Sequence, residues 1–514
     1  MKETKKRMSW LLAAGMAVVL MAGCGGGKEN SGGAPSSSNA SSSSSPSSSA
    51  PAEKPPLKAL LHYATTDFNG STPAVLLEKG TGYKVQYDML PQDKPEDKLN
   101  IIMGSGESYD IISMGSVYKQ LYFDYAKRGA LVDLTPLIEQ YGPNIKAAVS
   151  QKNLDAVKVD GKIYSIPSEA ITNTSWSIAI RVDWLEKLGL PMPTTLDELV
   201  DVLKAFKEQD PGGNGDKNIP LTAMGGVPLE NIRGAFGLAQ SWSDVDGRLV
   251  NMAENPALKD YMAFVNELYK GGLLDKEFVT TKEATMLEKF ASGRAGAMIA
   301  AWHMFPTIST AIVKSDPNAK VAFAGALTGK DGTAGLALSE GFELFTVVPK
   351  SAKHPEEAIK WINAKLEPKV FLESYLGEEG VHYSVQDGNY YPILPQFTDE
   401  MGNANNMRTG VIEDKAPTYW QARVRKDELL FQGWETINTI PEEHKIHDLL
   451  AYSPFLPELA KNNAQLNTLL NDYITKTVVN GDAEATYDEF VNNWKAAGGE
   501  AVTQEVNDWY ATTK

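Results

Sequence analysis

The residue types that carry most enzyme chemistry are present in this chain but thinly spread. The six histidines are scattered, and His444 and His447 share a short segment with Glu442, Glu443 and Asp448. Those are the donor types of a metal site, and they are equally the composition of a solvated charged face. Glu356-Glu357 and Glu378-Glu379 are adjacent acids. Sequence neighbours do not face one another on a helix, so they make a poor acid/base pair. No H-E-x-x-H, G-x-S-x-G, P-loop or G-x-G-x-x-G pattern occurs in the chain. The loop from Asp210 to Asn218 (DPGGNGDKN) opens like a calcium loop, with alternating oxygen donors and glycine at the sixth place. Asp210, Asn214, Asp216 and Asn218 would supply its side chains. Calcium takes roughly six to eight oxygens and such a loop closes on a bidentate acid. Here Gly212 brings no side chain to the third position and Ile219 follows Asn218. A structural calcium is thus an open possibility, and no cofactor is required.

The aromatic residues carry a different chemistry. Trp176, Trp242, Trp302, Trp420 and Trp434 fall in or beside predicted loops and strand ends. Flat indole faces stack on the apolar faces of sugar rings, while neighbouring polar groups bind hydroxyls. Each tryptophan is also an ordinary packing residue. Trp302 stands out because it follows Gly296 to Ala301 (GAMIAA), a strand pattern that ends in a loop.

Cys24 is the one cysteine in 514 residues, so an internal disulfide is excluded. Before it come Lys5-Lys6-Arg7, an uncharged apolar run from Trp10 to Met21, and Ala22-Gly23. A basic start, an apolar stretch and small residues before a cut describe a secretory signal over residues 1–23. The apolar run is shorter than the roughly 20 residues that span a bilayer. Leu20 to Cys24 (LMAGC) resembles a bacterial lipobox, with Met21 where leucine is usual. That resemblance implies a diacylglyceryl group on Cys24, and two acyl chains suffice for stable anchoring. Residues 24–56 then read as a disordered Gly/Ser/Pro tether, with serine runs at 41–45 and 47–49. The formal charge of −16 becomes −19 once Lys2, Glu3, Lys5, Lys6 and Arg7 leave with the signal. So acidic a chain disfavours nucleic acid and anionic membrane surfaces as partners.

These residues must be positioned by the body that begins near Leu57, which is long enough for two domains. Leu57–His62, Tyr83–Leu90 and Tyr109–Met114 read as strands, separated by helical stretches at Thr72–Gly80 and Glu96–Met103. Val117–Lys127 returns to helical spacing. The alternation predicts an α/β domain with a mainly parallel sheet. Ligands of such sheets bind beyond the carboxyl ends of the strands, which makes Gly115, Ser116 and Tyr118 a candidate rim. Ser177–Arg181 is a further strand pattern. Thr195, three residues before Glu198, caps a helix that runs to about Gln209.

The body resembles the family 1 extracellular solute-binding proteins, receptors of bacterial ABC sugar importers, and most closely their long oligosaccharide-type branch. The matching stretches are Tyr109–Gly115 (YDIISMG), Gly129–Leu134 (GALVDL), Asp160–Pro167 (DGKIYSIP), Arg181–Pro193 (RVDWLEKLGLPMP), Thr195–Phe206, Phe290–Met298 (FASGRAGAM) and His354–Trp361 (HPEEAIKW). The resemblance implies an α/β, two-lobed periplasmic-binding-protein-like fold (type II), with discontinuous lobes joined by a hinge. One lobe would comprise residues 57–168 and about 340–380, the other about 169–339 and 381–514. Crossings are expected near Pro167–Thr172, Ser339–Phe345 and Leu376–Tyr383. Calcium in the loop matching Asp210–Asn218 occurs in alginate-type members. A sugar platform maps onto Trp302, strand-end contacts onto Ser116 and Tyr118, and the inter-lobe segment onto Glu169.

The expectation is an extracellular, lipid-anchored receptor on a cell membrane of Gram-positive type. As a monomer it would capture an oligosaccharide by hinge closure and pass it to two permease subunits served by a separate ATPase. Trp302, Trp176, Trp242 and Trp420 would stack on sugar, while Tyr118, Glu169 and Arg181 would orient hydroxyls or a uronate. Arg181 could equally hold its lobe together. No bond in the ligand would be made or broken. A surface polysaccharide hydrolase or lyase, and a peptide receptor of an ABC importer, remain the alternatives.

Overall fold

A computed structural model describes residues 53–62, 66–91, 93–171, 173–174, 176–225 and 229–514. Cys24, the signal and nearly all of the tether lie outside the described residues. The chain first alternates β1 (Leu57–Leu61), α1 (Thr72–Thr81), β2 (Val85–Met89), α2 (Pro95–Ser105) and β3 (Ile111–Gly115). A 3-10 turn at Ser116–Tyr118 leads into α3 (Lys119–Lys127). Then come β4 (Ser165–Glu169), β5 (Asn173–Thr174), β6 (Trp176–Arg181), α4 (Leu196–Gln209), β7 (Ile219–Thr222), β8 (Ala295–Ala301) and β9 (Val321–Phe323). The return is made by β10 (Leu336–Ser339) and β11 (Phe342–Val347), followed by α5 (Ala416–Val424), α6 (Glu428–Asn438) and β12 (Lys445–Ile446).

Two main sheets result, each at the heart of its own apolar core. The first runs β2-β1-β3-β11-β4, parallel through β2, β1 and β3 and antiparallel on both sides of β11. β3 is buried along its whole length, as expected of an inner parallel strand covered on both faces. The second runs β9-β6-β8-β7, with only β8 and β7 parallel. β8 (AGAMIAA) is likewise wholly buried, and its glycine has a packing role. A Cβ on Gly296 would lie 2.3 Å from Phe206 of α4 and 2.8 Å from Trp184. α4 starts on the expected capping box, in which Thr195 and Glu198 satisfy each other's backbone amides.

The first core draws on residues 57–166 and 342–422, the second on residues 178–327 and 424–506. Between them lies a small sheet, β12-β10-β5. Leu338 and Ser339 pair antiparallel with Thr174 and Asn173, and Leu336 and Ala337 pair parallel with Lys445 and Ile446. β5 carries the chain from the first core to the second, and β10 carries it back.

The third crossing departs from expectation. Leu376 and Tyr383 both belong to the first core, and so do Phe397, Met407, Tyr419 and Ala422. The change of core falls inside α5, between Ala422 and Val424. A run of tyrosines holds the intervening segment, with ring centroids of Tyr383 and Tyr390 at 5.5 Å and of Tyr390 and Tyr419 at 5.1 Å. Arg423 reinforces it by donating to the carbonyls of Tyr375, Met401 and Gly402. Residues 383–422 therefore pack with the first core, where the sequence reading assigned 381–514 to the second lobe.

Candidate ligand-binding site

The hinge strands deliver the chain straight into two groups of side chains. On the first-core side, β3 ends at Gly115, which pairs with Leu344 of β11. The 3-10 turn that follows exposes Ser116 and Val117 and buries Tyr118. Burial, and then the field of Glu96, raise the Tyr118 phenol above its ordinary value, so it stays protonated and able to donate. Tyr118 packs edge to face against His62, with centroids 6.1 Å apart. Nearby charge is supplied by a bidentate pair, Arg408 to Glu343 at 2.7 and 2.5 Å.

On the second-core side, Trp176 opens β6 and lies in register with Ala301, the last residue of β8. Trp302 follows at once in a 3-10 turn. Its ring meets Trp420 of α5 edge to face, with centroids 6.3 Å apart and planes at 87°. α6 closes over the same turn, and Gly433 permits the approach, since a Cβ there would lie 2.9 Å from the Trp302 carbonyl oxygen. The indole Nε1 atoms of Trp420 and Trp434 are buried without a hydrogen-bond partner among the described residues. Buried donors are rarely left so. His303, beside Trp302, is held below the ordinary imidazole value by burial, against the opposing field of Glu283.

The other candidates divide. Glu169, at the end of β4, pairs with Phe342 through its backbone and accepts a 2.6 Å hydrogen bond from the Tyr452 hydroxyl. Tyr452 packs on the first core while Leu456, four residues on, belongs to the second, so Glu169 fastens a strap across the hinge. Trp242 is apart from the other tryptophans. It is 5 % exposed in the second core, on a hairpin whose Leu249 amide is held by Asn507. Arg181 also leaves the site, because it stands at the opposite end of β6 from Trp176, about 17 Å away at strand rise. Its guanidinium is used by Asp183 and Asp316.

The Asp210 loop is fastened to itself. Both Asp210 carboxylate oxygens accept backbone amides, those of Asn214 and Gly215. The amide nitrogens of Asn214 and Asn218 donate to the carbonyls of Gly293 and Phe206. The side chains offer two carboxylates and two amide oxygens, so a calcium shell here would need backbone carbonyls and water as well. Among the described residues no three His, Cys, Asp or Glu side chains gather as metal ligands. His447 meets Glu340 instead, at 2.9 Å, and Glu340 also accepts the Asp448 amide.

Sequence reasoning did not single out His62 or the Arg408–Glu343 pair. His62 had one available signal, its position directly after the first apolar strand. Arg408 and Glu343 had none, because they meet across 65 residues.

Two α/β cores joined by crossing strands, with aromatic and polar groups on either side of the hinge, define a two-lobed solute receptor of type II periplasmic-binding architecture. Among the described residues no helix is long and apolar enough to cross a membrane. The chain belongs to the bacterial extracellular solute-binding proteins, whose family model matches residues 52–370. It is 27 % identical to lipoprotein LipO of Bacillus subtilis over 85 % of this chain and 88 % of that one. It is 26 % identical to the polygalacturonan/rhamnogalacturonan-binding protein YtcQ of the same organism, again over 85 % and 88 %. The substrate-binding protein FusA of Streptococcus pneumoniae, solved with kestose, superposes with a TM-score of 0.68 at 22 % identity, covering 90 % of this chain and all of that one.

Proposed function

We propose that this chain captures an oligosaccharide outside the cell by closing two lobes around it and delivers it to the permease of an ABC importer. The observation that carries this reading is the aromatic group at the hinge, Trp302 against Trp420 beside Trp176, with the Trp420 indole N–H left without a hydrogen-bond partner among the described residues. Indole faces stack on sugar rings and buried N–H groups take hydroxyl oxygens. The lobes follow the two cores, so that a ligand touching both sides favours the closed state by its differential affinity. Cys24 carries the lipid anchor and residues 25–56 the tether, which keeps the receptor close to two permease subunits fed by a separate ATPase. The protein acts as a monomer and leaves the ligand's bonds intact.

Titration of intrinsic fluorescence against a panel of oligosaccharides tests the reading. A saturating change that disappears in Trp302→Ala, with no shortened product after prolonged incubation, is expected. A response to peptides and none to sugars would refute it.

A further inference from the structure

The first-core side of the site contains a histidine that the fold accommodates closely, yet whose Nδ1 has no hydrogen-bond partner among the described residues. Gly115 has an ordinary φ of −65°, so its lack of a side chain serves space, not conformation. A Cβ there would lie 2.6 Å from His62 Cε1 and 3.0 Å from each ring nitrogen. The imidazole thus rests directly on the end of β3, with Tyr118 against its other side. Its Nδ1 is buried and has no hydrogen-bond partner among the described residues. Burial holds the ring below the ordinary imidazole value; Glu343 opposes this and Arg408 reinforces it. At neutral pH the ring is therefore uncharged.

The two guanidinium groups on this side are already engaged. Arg408 spends both terminal nitrogens on Glu343 and its Nε on the Asn405 carbonyl. Arg423 is taken by three backbone carbonyls and the Asn405 side chain. Lys119, next to Tyr118, is pushed toward its neutral form by burial, with Asp448 opposing. A carboxylate entering a dehydrated cleft needs a cation with free donors. A hydroxyl needs one donor or one acceptor.

We propose that His62 contacts the ligand, its Nδ1 sharing a hydrogen bond with a sugar hydroxyl, and that the site takes a neutral oligosaccharide in preference to a uronate. This rests on the sugar-capture reading above and narrows it. The relatives themselves divide on the point, since one is named for polygalacturonan and another was solved with kestose.

Calorimetric titration of the purified chain with neutral fructo-, xylo- and manno-oligosaccharides and with trigalacturonate separates the possibilities. The tightest neutral ligand should bind at least about tenfold better than trigalacturonate. His62→Ala should weaken it by about tenfold or more, the loss expected when a buried hydrogen bond is removed, and His62→Gln should recover part. His62→Ala gives up the edge contact with Tyr118 and should melt somewhat earlier, whereas His62→Gln should melt close to the wild type, so the affinity of the Gln variant reports on the contact with ligand. With Nδ1 accepting the hydroxyl proton, affinity should fall as pH drops below the ordinary imidazole value of about 6.5 and the ring protonates, in the wild type and not in His62→Gln. Tighter binding of trigalacturonate overturns the preference. Wild-type affinity in both His62 variants, with binding lost in Trp302→Ala, overturns the role of His62 and leaves the capture reading standing. Binding of neither series removes both.

Discussion

Replacing Arg181 by methionine separates a structural from a ligand-binding role for the residue that sequence reasoning left in both. The side chain is 2 % exposed and its nitrogens reach Asp183 at 2.8 and 2.6 Å and Asp316 at 2.8 Å. The guanidinium also lies 5.0 Å from the Trp184 ring centroid. Methionine fills much of the volume but strands two carboxylates. Breaking a fully buried pair costs about 3–5 kcal/mol. Asp183 is 18 % exposed and Asp316 42 %, so water recovers part of that loss, while the lost cation–π contact adds about 0.5–1 kcal/mol. The net expectation is about 2–4 kcal/mol, or roughly 5–12 °C in melting temperature at this domain size. Melting followed by circular dichroism gives the stability, and sugar titration well below the transition gives the affinity. Arg181→Met should melt early and bind normally. A native melting temperature with weakened binding would refute the placement of Arg181 outside the site.

Two further outcomes can be stated briefly. Lys365 is buried with its Nζ on the Met407 carbonyl at 2.7 Å, and burial pulls its ammonium down to about 7. Because the folded state gives up this proton before the unfolded state does, its contribution to stability is complete above about pH 10.4 and is lost as pH falls through the folded value. Melting temperature should therefore rise with pH less steeply in Lys365→Met than in the wild type between about pH 7 and pH 9, and equal slopes would contradict the burial. Chelating calcium should leave the melting temperature unchanged, whereas Asp210→Ala, which strands two loop amides, should lower stability by about 1 kcal/mol. A large drop on chelation alone would restore the calcium loop.

The parallel part of the first sheet, β1 to β3, was legible in the sequence because its strands and helices alternate in a short contiguous stretch, and hydrophobic period reports such order directly. Predicted strands at 57–62 and 83–90 appear at Leu57–Leu61 and Val85–Met89, and the Thr195 capping box is present as read. The place of Trp302 directly after β8 was legible because strand and turn are adjacent in the chain. What escaped was whatever depends on meetings at long range. A helix that changes core between Ala422 and Val424 has the same apolar period as one that does not. Arg181 and Trp176 share a strand pattern, yet its length puts them at opposite ends. Trp242 differs from Trp302 only in what packs around it, which no local pattern encodes.

The position of β11 has a consequence for how the molecule is made. The first sheet needs this strand between β3 and β4, yet it arrives about 170 residues after β4. The second sheet draws all four strands from residues 176–323 without interruption. A chain emerging amino end first would therefore present two unfilled sheet edges until residues 342–347 had arrived. Long-range insertion of this kind is slow, and open edges meanwhile invite wrong pairing. Folding is expected to nucleate in the second sheet, and the first sheet to close only when β11 slots into it. The strand that joins the hinge to the candidate site is then the last inner piece of its own sheet, and a newly made chain is expected to bind ligand only once it is in place.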